Sequence, residues 1–153
     1  MPKNMKKIIL IFFVVLVTLI LAGPWLLYAI GLTNVSGRPT LPITSVTDEE
    51  AKNIWVDLKE TGSVRITKIG PWDYILMVLA PSTQKKPVGM HATWFVVSDY
   101  NINQLKNKNM LYWHISGAAM TIWLSRNWTT EEILSKVKEI RKKNAESTYR
   151  DRE

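Results

Sequence analysis

The sequence predicts a mainly α-helical protein: a single N-terminal transmembrane helix followed by a small helical exported domain, α+β only to the extent of one short strand or hairpin. Three observations predict it. Ile8 to Leu32 holds no charged residue and is apolar almost throughout, directly after Lys3, Lys6 and Lys7. Two Thr-x-x-Glu boxes, Thr47 to Glu50 and Thr129 to Glu132, open segments whose apolar residues recur at helical spacing. Met110 to Arg126 is apolar nearly all round, the pattern of a buried central helix.

A hydrocarbon core of about 30 Å needs about 20 apolar residues at ~1.5 Å rise each, so residues 8–32 are long enough to cross with some tilt. The first charge after the run is Arg38, followed by Asp48, Glu49 and Glu50. Retention of positive residues inside keeps the N-terminus cytoplasmic and exports the rest. A cleaved secretory signal has a shorter apolar core of about 7–15 residues and a small-residue cut site. Pro24 beside Gly23 disfavours a cut there, and a cut after Gly31 implies an unusually long core. The expectation is an uncleaved anchor in a bacterial inner membrane with a periplasmic domain. Gly23-Pro24 kinks or ends the span, and Trp25 and Tyr28 fall where an aromatic belt sits. Lys6, Lys7, Pro24, Trp25 and Tyr28 therefore form the anchoring set.

The domain reading is a cytoplasmic tail at 1–7, the transmembrane helix at 8–32, a linker at 33–47, one globular domain at 48–146 and a frayed terminus at 147–153. Gly37, Pro39 and Pro42 among Ser and Thr mark the linker. Of the 20 Lys+Arg, 3 precede the span, leaving 17 against 13 Asp+Glu. That small surplus on an exported domain suits anionic headgroups of a lipid bilayer and gives no reason to expect nucleic acid. Absence of Cys excludes disulfides, thiolate chemistry and a lipid-modified N-terminal cysteine.

Within the domain, Ala51, Ile54, Trp55 and Leu58 predict a helix from Asp48 to about Thr61, stopped by Gly62. Ser63 to Ile69 alternates and reads as a short edge strand or an extended arm. Pro71 at a first helical position favours a short helix over Trp72 to Ala80, although Tyr74, Ile75 and Val78 also suit a strand. Pro81 to Gly89 is a polar turn. Thr93, Phe95, Val96 and Val97 suit a strand, while Met90, Trp94, Val97 and Tyr100 recur helically, so Met90 to Leu105 is ambiguous and reads as helix by preference. After Thr129, Ile133, Leu134, Val137 and Ile140 form the apolar face of a last helix that carries Lys136, Lys138, Arg141, Lys142 and Lys143 on the other.

Catalytic signals are sparse. The two histidines, His91 and His114, have no metal-ligand spacing, and no nucleophile elbow, phosphate loop or dinucleotide fingerprint occurs. No cofactor, metal or catalytic residue is expected; Asp73, Asp99, Glu50 and Glu60 read as caps or exposed positions. His114, Ala118, Thr121 and Ser125 follow i, i+4, i+7, i+11 spacing and form a polar and small stripe on a greasy helix. Such a stripe allows close packing, with hydroxyls returning to their own helix, or lines a pocket with His114 at its mouth. The candidate pocket is His91, His114, Thr121 and Ser125. Seven Trp in a chain of 153 residues exceed what a core this small needs, and Trp is enriched at interfaces. Trp72 and Trp128, at element ends, and Arg126 are the candidate partner-binding residues.

The functional expectation is a single-pass accessory or assembly subunit of a cell-envelope complex, with other membrane or envelope proteins as partners. The alternative is a small membrane-anchored enzyme acting on peptidoglycan or lipid-linked glycan, with a lysozyme-like helical domain; the layout of tail, span and helical domain suits it, but no catalytic motif does. A reporter active only outside the cytoplasm, fused after Glu153, is expected to be active. Activity of a cytoplasmic reporter at the same point would reverse the orientation.

Overall fold

The computed structural model describes residues 3–79 and 86–150. Six helices follow in chain order: α1 Lys3–Thr33, α2 Asp48–Asp57, α3 Pro71–Leu79, α4 Met90–Gln104, α5 Met110–Asn127 and α6 Thr130–Arg150. One helix near the N-terminus is long and apolar enough to cross a membrane, Met5–Thr33 with mean hydropathy 2.8, as a membrane anchor or a signal sequence is. Its side chains from Ile8 to Leu16 all lie exposed. Among the described residues nothing covers them.

The other end of α1 behaves differently. A Cβ on Gly31 would lie 2.5 Å from the Ile115 carbonyl oxygen and 2.6 Å from the Ala119 Cβ, so the two backbones approach as only glycine permits. Directly beyond it, Asn34 is buried, and its side-chain amide donates to the Ser116 hydroxyl at 3.0 Å and accepts from the Asn107 N–H at 3.1 Å. The last turns of α1 are therefore an element of the domain. The stretch read as a linker is likewise tied down: Val35 forms an isolated antiparallel bridge with Leu105, the Ser36 N–H donates to Gln104, and Val46 reaches the buried Ser135 hydroxyl at 3.0 Å. Arg38 lies over the Trp123 ring, 5.6 Å from its centroid.

The core gathers Val96 and Val97 of α4, Met120 and Leu124 of α5, and Ile133, Leu134, Val137 and Ile140 of α6, with Ile54 and Trp55 of α2 closing one side. Trp94 lies so close over Gly117 that a Cβ there would sit 2.7 Å from the indole, which brings α4 against α5. Both capping boxes form, Thr47 with Glu50 and Thr129 with Glu132.

Three expectations change. Among the described residues there is no strand or hairpin; 63–69 is an extended arm whose N–H groups go to the Thr130 and Ser125 hydroxyls and to Val88. Side chains take the place of a partner strand. Helix α2 ends at Asp57, four residues early, because Lys59 enters the left-handed region (φ 56°) and turns Glu60 inward. The terminus expected to fray from Ser147 stays helical to Arg150. The polar turn 81–89 lies mostly outside the described residues.

Gly31→Ala is expected to destabilise the full-length protein in detergent by about 1–3 kcal/mol through overpacking. Gly23→Ala, with nothing within 4 Å of its Cβ position, should be neutral or stabilising by up to about 1 kcal/mol. Thermal unfolding of both variants checks this, and equal effects would contradict the packing at Gly31.

Candidate functional site

Helix α3 begins at the Gly70-Pro71 corner, where the Asp73 carboxylate accepts the Gly70 N–H at 2.6 Å and the Arg126 guanidinium lies nearby. Proline has no N–H to satisfy and its fixed φ suits a first helical turn. The helix then lies beside α1 and α5, and the space among the three is a groove of about 360 Å³ lined by Pro24, Leu27, Tyr28, Tyr74, Ile75 and Ala118, among other residues. Ala118, the small member of the expected stripe, leaves this room. A second cavity of about 370 Å³ adjoins it, lined by Tyr74, Met77, Lys86, Met90, His91, Trp94 and His114. Tyr74 and His114 line both. Each volume falls in the range of ~300–1,000 Å³ typical of small-molecule sites.

The two histidines thus meet in one cavity, although 23 positions separate them in the sequence. Thr121 and Ser125 do not join them. Thr121 donates to the Gly117 carbonyl at 2.8 Å and Ser125 to Ile122 at 2.9 Å, both buried, and Ser125 also accepts the Ile69 N–H. They hold the extended arm and their own helix, the close-packing role. Burial pushes the Tyr74 phenol above its ordinary pKa, so it stays a neutral hydrogen-bond donor.

Glu60 has a role that sequence spacing conceals. Its carboxylate accepts the N–H groups of Gly89 at 3.1 Å, His91 at 2.6 Å and Ala92 at 3.2 Å. It caps the N-terminus of α4 from 30 residues upstream, a tertiary cap with no local signature. Its Oε1 stands 3.9 Å from the His91 Nδ1. Glu60 therefore fixes the first turn of α4 and with it the position of His91.

The anchoring and partner-binding candidates separate as well. Trp25 is exposed and packs edge-to-face on Tyr28 with centroids 6.3 Å apart, while Pro24 is buried at the groove. Lys6 and Lys7 are exposed at the far end of α1. Trp128 is only 8% exposed and belongs to the core, which removes its indole from the candidate docking surface. Arg126 is exposed and Trp72 half-buried, and both lie at the Gly70 corner. A more polar cavity of about 550 Å³ runs between the arm and the start of α6, lined by Arg65, Lys68, Trp128 and Thr130 among others. No group of three or more His, Asp or Glu side chains stands close enough to hold a metal ion among the described residues.

Comparison of the chain with protein-family models, curated proteins and solved structures finds no match.

Glu60→Ala is expected to cost about 1–2 kcal/mol by removing the acceptor of three N–H groups at a helix start, and Glu60→Gln about half as much because one acceptor oxygen remains. Denaturant unfolding of the two variants measures this. A loss of less than ~0.5 kcal/mol for Glu60→Ala would remove its capping role.

Proposed function

We propose that the chain is a single-pass, membrane-anchored accessory subunit of a cell-envelope complex, its N-terminus cytoplasmic and its helical domain on the outer face of a bacterial inner membrane. The observation that carries this reading is the docking of the last turns of α1 into the domain at Gly31 and Asn34. A cut after Gly31 would strip Pro24, Leu27 and Tyr28 from the face of α5, so the packing argues against that cut, the one whose small residues best suit a signal. It also removes any swing between anchor and domain, which suits a part that holds a fixed pose against a partner.

Depth follows from length. With the cytoplasmic edge of the hydrocarbon at Lys7, a core of about 30 Å uses about 20 residues and ends near Leu27. The domain then rests on the outer headgroups. Leu76, Val78 and Leu79 of α3 are exposed, and at this depth such side chains meet the acyl boundary. Trp72 and Arg126 face a protein partner in the plane of the membrane.

One observation favours the enzyme alternative: His91 and His114 share a cavity. No carboxylate lines that cavity or the groove beside it among the described residues, so acid and base on a lipid-linked glycan would have to come from the imidazoles, Lys86 or the Tyr74 phenol.

A photo-crosslinking amino acid at position 72 in cells is expected to capture a membrane protein, and Arg126→Glu to reduce that adduct while the chain stays folded. Absence of any adduct, with turnover of a lipid-linked glycan by the purified protein that is lost in His91→Ala and His114→Ala, would replace the accessory reading by the enzymatic one.

A further inference from the structure

The groove and the cavity beside it form an amphipathic pair. The groove is apolar along α1, α3 and α5, and on one side it is continuous with the exposed apolar surface of α1 through Leu27 and Tyr28. The cavity beyond Tyr74 and His114 adds the Lys86 ammonium, the His91 imidazole and the phenol of Tyr74. Neither space is lined by an Asp or Glu among the described residues, and Glu60, whose Oε1 stands 3.9 Å from the His91 Nδ1, has its oxygens taken by the N–H groups of Gly89, His91 and Ala92. Those same bonds occupy the start of α4, so an anion in this cavity is held by side chains.

We propose that this site binds one anionic lipid, its tail in the groove against Leu27, Ile75 and Ala118 and its phosphate beside Lys86, His91 and His114. Two features of the site select this occupant. The apolar part opens onto the lipid-facing surface of α1, so an acyl chain enters without crossing water. The polar part offers one fixed positive charge and three further polar side chains, which match a phosphate, and no carboxylate among the described lining residues offsets the cationic end of a zwitterionic headgroup. The site rests on α1 lying in a bilayer, and it goes beyond the accessory reading by giving the domain a lipid to sense or present.

The test uses full-length protein in nonionic detergent, where binding is measured independently of topology; the reporter fusion reads the anchor separately. Native mass spectrometry after addition of phosphatidylglycerol or of phosphatidylcholine with the same chains is expected to show one phosphatidylglycerol retained per chain, with about tenfold preference over phosphatidylcholine, the worth of one charge-assisted contact. Lys86→Glu should abolish the preference. Ala118→Trp should abolish retention by filling the groove, and Val78→Glu, at a 59% exposed lining position that folding tolerates, should do the same. Equal retention of both lipids, full retention in folded Val78→Glu, or competition by millimolar inorganic phosphate in the absence of any lipid retention would each overturn the proposal. So would capture of a polypeptide, in place of lipid, by a photo-crosslinker at position 78.

Discussion

The close approach of α1 to α5 at Gly31 is the contact on which the rest of the molecule depends. Without a side chain at 31, the carbonyl of Ile115 and the methyl of Ala119 come within van der Waals reach of the α1 backbone. Dispersion over so short a separation is strong, and a residue without a side chain at the crossing is what allows it. The contact is backed by polar bonds that leave little slack: Asn34 uses its amide on Ser116 and Asn107, and its carbonyl accepts the Lys106 N–H. Such buried, satisfied groups specify one seating of the helix among many greasy alternatives. A long apolar helix thereby acquires a direction and a rotation relative to the domain.

The same device recurs where the chain is extended. From Ser63 to Gly70 the backbone finds no partner strand, and its N–H groups are satisfied by Thr130, Ser125, Val88 and Asp73. From Ser36 to Val46 the chain is held at Gln104 and at Ser135. Hydroxyls on α5 and α6 thus do for the connecting segments what a sheet does elsewhere, and α3 is delivered at a fixed place beside α1. The groove exists because of that delivery. Its walls come from three helices, two of which reach it through segments with no regular structure.

Much of the helical skeleton was legible because its signals are local. Thr47 with Glu50 and Thr129 with Glu132 mark helix starts through bonds three residues apart, and Pro71 marks another through its own ring. The unbroken apolar pattern from Met110 placed α5 to within a residue. What was hidden depends on contacts distant in sequence. Alternation at 63–69 reads as an edge strand or an extended arm, because it records burial and not what pairs with the backbone; Ile66 and Ile69, three positions apart, are buried, and side-chain hydroxyls take the place of a partner strand. The stretch after Leu32 has linker composition, yet Asn34 and Val35 are buried, since a single amide finds Ser116, 82 positions away. Trp128 follows a helix end, where sequence suggests exposure, and the turn into α6 folds it into the core. Of the four pocket candidates, His91 and His114 converge and Thr121 and Ser125 serve packing. Nothing in the spacing of the two histidines announces their meeting, because it is made by the α4–α5 contact at Gly117 and by the Glu60 cap, both tertiary.

The central claim is that the end of α1 is part of the domain and not a tether to it. Its most direct measurement is cooperative unfolding, by near-ultraviolet circular dichroism, of the chain from Thr33 onward beside a longer one beginning at Gly23 and kept in mild detergent. Removal of Pro24, Leu27 and Gly31 bares Ile115, Ala119 and Ile122 and the lining of the groove. The shorter chain is expected to lose its sharp transition or to melt far below the longer one. A soluble, monomeric chain from Thr33 with the same cooperative transition as the longer form would contradict the account.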